Sequence, residues 1–256
     1  MTRNQPDSHQ EPVVQRVRLR YAKRGPLRFT SHRDFARAFE RAIQRAGVPI
    51  AYSQGFTPHP KVSYASAAPT GVASEAEYLE IGLRAPVDPA ELVKALDAAL
   101  SPGLDVLDAV QAHGRSLTDR IDASLWRIEL PEVRPEKLRH AVAAFQDAVE
   151  VPVERLTKQG RRGFDARGPV VRIGVLDAPS GVNEMPCAIL DVVIRQVTPS
   201  VRPDDVLSGL RVVAGLEPPV PPRTTRLAQG TLTVQGEITD PLLADRTGAV
   251  IGTSPG

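Results

Sequence analysis

The chain has little of what most catalytic and membrane classes need. It has one cysteine, one tryptophan, two methionines and 4% aromatic residues in 256 positions. Cys187 stands in the apolar run Cys187-Ala188-Ile189-Leu190. A lone cysteine excludes a disulfide framework, a CxxC zinc site and an iron–sulfur cluster held by the chain's own thiolates, and this one reads as a core residue. No apolar run approaches the roughly 18 residues of a membrane span, and Met1–Glu11 lacks the apolar centre of a signal peptide. The expectation is a cytoplasmic protein with no membrane partner. GxxxxGKS/T is absent, and no GxGxxG opens a helix after a strand, so the usual phosphate-cradling loops are missing and no cofactor is expected. HExxH, DxD and paired metal-ligand spacings are missing too, as is a GxSxG elbow, so no metal is expected.

What is present is charge, unevenly placed. The net charge of +2 hides 12 Lys and Arg against 4 Asp and Glu in residues 1–62, an excess of +8 that leaves −6 for the other 194 residues. Such a basic pole suits a polyanion, nucleic acid above all, although a solvated arginine-rich surface has the same composition. Arginine outnumbers lysine 27 to 5.

Hydrophobic periodicity gives two halves with one plan. Gln15–Ala22 alternates as a strand, and Phe35, Ala38, Phe39, Ala42, Ile43 and Ala46 recur at helical spacing within residues 31–47. Ser31 and Asp34 start that helix as a capping-box-like pair, and Gly47 with Pro49 ends it. Strands near Lys61–Ser66 and Tyr78–Leu83, a helix at Pro89–Leu100 and a strand near Asp105–Val110 complete a βαββαβ order, with Gly71–Glu77 read as a turn. The second half repeats it: strand Leu125–Leu130, helix Glu136–Val149, strands near Val151–Leu156, Pro169–Leu176 and Ala188–Arg195, helix Pro203–Val212 and strand Arg223–Ala228. Val87–Leu96 aligns with Val201–Leu210, 114 positions on, each block opening its helix on proline with acids in the first turn. The predicted fold is two tandem ferredoxin-like domains, antiparallel sheets with helices on one face, over residues 13–114 and 115–230. Residues 1–12 and 231–256 are expected to be mobile tails.

Four arginines mark the first helix: Arg33, Arg37, Arg41 and Arg45. A four-residue step turns a helix by about 400°, so all four share one face. Arg16, Arg18 and Arg20 alternate on the strand before it, with Lys23, Arg24 and Arg28 in the loop between. Arginine grips phosphate oxygens in pairs, and each neutralised phosphate releases counterions, so this pattern suits a nucleic-acid backbone. The alternative is an ordinary solvated face with Glu40 pairing locally. A second basic run, Arg155, Lys158, Arg161, Arg162, Arg167 and Arg172 against Asp165, looks like a hairpin tip. Phe29, Tyr52, Phe56 and Tyr64 are the aromatics of the basic part, too few for a row of stacked bases. Among candidate acid–base groups, His32 and His59 titrate near neutrality, which fits metal-independent RNA cleavage. His59, bracketed by Pro58 and Pro60 after Gly55, is equally suited to carrying an extended chain into the next strand.

The run Arg18–Asp34, with Tyr52-Ser53-Gln54-Gly55-Phe56-Thr57-Pro58-His59-Pro60-Lys61-Val62-Ser63 and Gly71–Tyr78, resembles the radical-SAM-associated domain of unknown function DUF2344. The resemblance covers residues 14 to 85 strongly and the second half loosely, through Gly163–Arg167 and Pro203. The usual family spelling has leucine at Arg33 and asparagine at Thr57, so neither is an obligatory family contact. The family's domain occurs behind a cobalamin-binding radical-SAM enzyme or alone, beside an RNase E/G-type ribonuclease; without three cluster cysteines, this chain resembles the stand-alone form. The resemblance implies association with RNA modification or processing. It also singles out Ser31, Asp34, Ser53, Gly55, Phe56, Ser63, Glu77 and Tyr78.

The expected function is a non-catalytic RNA-binding accessory module, with Lys23, Arg28, Arg33, Arg37, Arg41, Arg45, Lys61, Lys158, Arg161 and Arg162 on phosphates. The alternatives are a ribonuclease or RNA-modification subunit using His32 and His59, and a protein-interaction scaffold.

Overall fold

The computed structural model describes residues 12–54, 56–157, 160–177 and 185–248. Its architecture is mixed α/β with mostly antiparallel strand pairing. The chain divides into two compact units. The first takes the described parts of Met1–Gly71, Ala76–Thr118 and Leu242–Gly256, the second those of Val72–Glu75 and Asp119–Pro241.

The first unit contains, in chain order, β1 (Gln15–Lys23), α1 (His32–Arg45), β2 (Val62–Ala65), β3 (Ala73–Leu83) from Ala76 on, α2 (Pro89–Ala99) and β4 (Leu104–Gln111). Its strands lie in the order β4-β1-β3-β2. The Ser31 hydroxyl accepts from the Asp34 amide and donates to the Asp34 carboxylate, which satisfies a first-turn N–H that the helix itself leaves orphaned. Phe35, Phe39, Ala42 and Ile43 form the buried face of α1. Phe35 stacks on Tyr21 of β1, ring centroids 4.3 Å apart and planes within 2°, while Tyr64 of β2 meets Phe35 edge-on at 6.0 Å. Each fully buried aromatic contributes about 1.5–3 kcal/mol, so this cluster holds α1 on its sheet and turns the arginines outward. Past the helix end, Gly47 takes φ +63, where any side chain would be strained.

β3 begins five residues earlier than the sequence pattern predicts. The stretch 73–77 is strand rather than turn, and both Glu77 and Tyr78 are buried within it.

The second unit contains β5 (Ala123–Pro131), α3 (Pro135–Asp147), β6 (Pro152–Thr157), β7 (Gly160–Asp165), β8 (Val170–Leu176), β9 (Cys187–Arg195), α4 (Pro203–Ala214), β10 (Arg223–Leu232) and β11 (Ile238–Thr239). The order here is β10-β5-β9-β8, with β6 and β7 pairing only with each other as a ribbon. Ala73 and Ser74, which belong to this unit, pair in parallel with Thr225 and Arg226. Its core joins Ile128, Leu130, Leu138, Phe145, Leu190, Val206 and Leu210. Gly209 is required at its place on α4, because a Cβ there would come within 2.8 Å of the Phe145 ring.

Within residues 231–248 the chain forms regular structure. β10 continues to Leu232, β11 pairs with it, and α5 (Leu243–Arg246) buries Asp245, just after the fully buried Leu242.

Candidate nucleic-acid interface

On α1, Arg33, Arg37, Arg41 and Arg45 are all exposed. Successive members stand about 6 Å apart along the axis, from a rise of 1.5 Å per residue. Among the described residues none of the four guanidinium groups has an ion-pair or hydrogen-bond partner. Glu40, the local partner considered from sequence, pairs with none of them. Its charge acts instead on Tyr64, whose phenol is pushed above its ordinary pKa by burial first and by the Glu40 carboxylate second. The Tyr64 hydroxyl has no hydrogen-bond partner among the described residues.

The loop that follows α1 is framed by backbone bonds. The Ser53 amide donates to the His59 carbonyl at 2.8 Å, and the His59 amide donates back to the Ser53 hydroxyl at 3.0 Å. One residue out on each side, Tyr52 and Pro60 form an isolated bridge, and the Lys61 amide reaches the Ala51 carbonyl at 2.8 Å. Ser53 is therefore the clasp of the loop. Gln54, Phe56, Thr57, Pro58 and His59 are exposed around it, and Lys61 and Ser63 are exposed on the way into β2. Gly55 lies outside the described residues.

Neither candidate imidazole is oriented for acid–base work by a side-chain hydrogen bond among the described residues. His32 packs edge-on against Tyr64, centroids 4.8 Å apart. A cleft of about 60 Å³ lined by Ser63, Tyr64, Ala65, Glu80, Ser116, Leu117 and Thr118 lies on the same strand. Small-molecule sites run to roughly 300–1,000 Å³, so this cleft is too small to admit a nucleotide. Among the described residues there is no cluster of three or more His, Cys, Asp and Glu able to hold a metal ion, and no helix is long and apolar enough to cross a membrane.

Two basic residues of the first strand leave the candidate surface. Arg18, expected beside Arg16 and Arg20 on an open face, has a side chain only 3% exposed. It donates to both oxygens of Asp245, to Glu80 at 2.9 Å and to the carbonyls of His113 and Arg115. Arg16 also pairs with Glu80, at 3.0 Å. Lys23, expected on phosphate, is 5% exposed, and its ammonium faces the carbonyls of Ala68 and Pro69 at 3.4 Å. Glu77, nearby in this packing, accepts from the Ala68 amide at 3.0 Å. Both cations are structural because the second face of β1 is covered: a β-bulge between Arg20 and Tyr21 breaks the simple alternation, and α5 supplies Asp245. Arg28 stays partly exposed, its guanidinium 4.8 Å above the ring of Phe29.

The second basic run divides in the same way. Arg155 forms a bidentate pair with Asp205, donates to the Ser200 carbonyl and lies over the Phe164 ring at 4.9 Å. Arg167 donates to the Val170 and Gln146 carbonyls. These two anchor the β6–β7 ribbon. Arg161, Arg162 and Arg172 remain exposed, Arg161 with a loose 3.4 Å contact to Glu154; Lys158 lies outside the described residues. Asp165 sets the base of the ribbon. Burial alone would raise its pKa, but three amides, of Val151, Arg167 and Gly168, and the Arg167 charge outweigh burial and hold it below the usual carboxylate value. A depressed folded pKa means stability that is present above about pH 4 and lost as pH falls through the folded value. We expect Asp165→Asn to cost about 1–3 kcal/mol in urea melts at pH 7, because one amide loses its acceptor, with the gap to wild type narrowing as pH falls below about 4 and through the lower folded value.

A search of curated proteins finds no match. The model of a family described as an uncharacterized protein conserved in bacteria, DUF2344, matches residues 16–203, which include the arginine helix, the clasped loop and the ribbon. With nearly three quarters of its length under that match, the chain belongs to the DUF2344 family.

Proposed function

We propose that this protein is a non-catalytic RNA-binding accessory module in RNA modification or processing, working with a radical-SAM enzyme or an RNase E/G-type ribonuclease in the cytoplasm. One observation carries it: four guanidinium groups in a row on α1 face solvent with no anion among the described residues to neutralise them. Where this chain uses arginine for packing it pairs or stacks it, as at Arg18, Arg155 and Arg167. An unpaired row at about 6 Å intervals instead suits a repeating anion, and phosphodiester backbones supply one. The exposed Arg161, Arg162 and Lys61 add cations elsewhere on the molecule.

The strand orders β4-β1-β3-β2 and β10-β5-β9-β8, each from a βαββαβ sequence once the β6–β7 ribbon is set aside, support a duplicated ferredoxin-like plan. In that plan the helices lie on one face of each sheet, and α1 presents its polar side freely. The partners rest on the family resemblance alone.

The experiment is to incubate the pure protein with total RNA at low salt, then recover the RNA and measure its length. Retention on a filter with unchanged length is the expected result. Shortened RNA whose production stops in His32→Ala or His59→Ala would replace the module with a ribonuclease, and no retention would remove RNA altogether.

A further inference from the structure

The geometry points to Phe56 as a base-stacking residue, so that the RNA held by the first unit offers at least one unpaired nucleotide. This rests on the RNA-binding reading above and narrows its substrate class.

Phe56 is 95% exposed. Leaving a phenylalanine in water forgoes about 1.5–3 kcal/mol of burial, a large share of the 5–15 kcal/mol by which a domain is stable. The other aromatics of the unit are accommodated: Tyr21, Phe35, Phe39, Tyr64 and His32 form a chain of ring contacts, Tyr78 is buried, Tyr52 packs on the core, and Phe29, 60% exposed, lies under the Arg28 guanidinium. Phe56 has no ring contact among the described residues.

Its loop is not a chain free to fold back on the core. Ser53 and His59 close the neck by two hydrogen bonds, the Tyr52–Pro60 bridge closes it again, and Pro58 and Pro60 restrict the descending arm. A ring presented on a closed neck has already lost much of the freedom that binding would otherwise remove.

Charge selects the occupant. No acidic residue occurs between Glu40 and Glu75, a span that holds Arg41, Arg45, His59, Lys61 and the whole loop. The ligand therefore meets an apolar ring within a segment that carries only positive or titratable charge. Nucleic acid combines a phosphate backbone with flat faces that stack on aromatic rings. In a duplex those faces are occupied by neighbouring bases, so stacking on Phe56 needs a nucleotide out of the helix.

The test compares a mixed-sequence single-stranded RNA with a blunt duplex containing the same strand, by filter binding and by fluorescence. Phe56→Ala should weaken the single strand about tenfold and leave the duplex unchanged. Phe56→Trp should keep the affinity, and its emission should be quenched by the single strand only, against a background from Trp126, which is 8% exposed. Equal affinity of Phe56→Ala for both RNAs with no loss, or equal loss on both, overturns the stacking role. So does a variant that binds RNA normally but no longer retains a protein partner after nuclease treatment. Arg37→Glu with Arg41→Glu and Arg45→Glu serves as the reference. If that variant loses both RNAs while Phe56→Ala loses neither, RNA binding stands and stacking fails; if wild type binds neither RNA, both fail.

Discussion

Reversing charge at Arg37, Arg41 and Arg45 to Glu lowers RNA affinity by about 10²–10³-fold at low salt, with little change in thermal stability. The size follows from counterion release. Three phosphate contacts carry about two to three units of the salt slope, which is worth several decades of affinity near 0.05 M salt. Stability is spared because the three side chains are exposed and touch no partner among the described residues, and surface substitutions of that kind usually change it by less than about 0.5 kcal/mol each. Single reversals should add almost equally, since an unpaired row binds a backbone without register. One dominant arginine would instead indicate a shaped pocket.

The largest stability effect is expected away from that face. Arg18→Met should cost about 3–5 kcal/mol and lower the melting temperature by roughly 10 °C, because it strips the guanidinium from a carboxylate with no exposed side-chain surface. The Asp245 carboxylate would keep the His113 amide at 2.8 Å but lose both bonds from Arg18. Arg16→Met is the matched control. Its ion pair with the same Glu80 is 62% exposed on the arginine side, and screening by water leaves it worth about 1 kcal/mol or less. Equal losses at Arg16 and Arg18 in urea melts would show that α5 does not clamp β1.

These two predictions divide the arginines in a way that sequence spacing does not. Arg16, Arg18 and Arg20 alternate on one strand, and from the strand alone they read as one open basic face. What buries Arg18 is 227 positions away in the chain, at Asp245, in a segment whose glycine, threonine and proline content reads as a tail. Lys23 was hidden by the same kind of distant cover, the turn at Ala68 and Pro69.

Local chemistry was legible where it closes on itself. The Ser31 cap, the α1 apolar face and the proline-started helices at Pro89 and Pro203 follow from residues within one or two turns. The turn around Gly71 was not, because Ala73–Glu77 is recruited into β3 by partners on other strands. At Tyr52–Lys61 only the arm that Pro58 and Pro60 lead into β2 follows from the sequence; the chain bends at Gln54, Phe56 and Thr57. Its clasp by Ser53 was invisible, since a serine hydroxyl gives no sign of which amide it will meet. The exposure of Phe56 likewise needed the neighbouring rings to be placed first.

The central claim is that an unneutralised arginine row binds a phosphate backbone. The most direct measurement is the affinity of wild-type protein for RNA over a tenfold range of salt. Four phosphates predict a straight log–log plot of slope about −3 to −4, falling toward −1 in the triple charge-reversal variant. A slope near zero, or one that is the same in wild type and variant, would contradict the account.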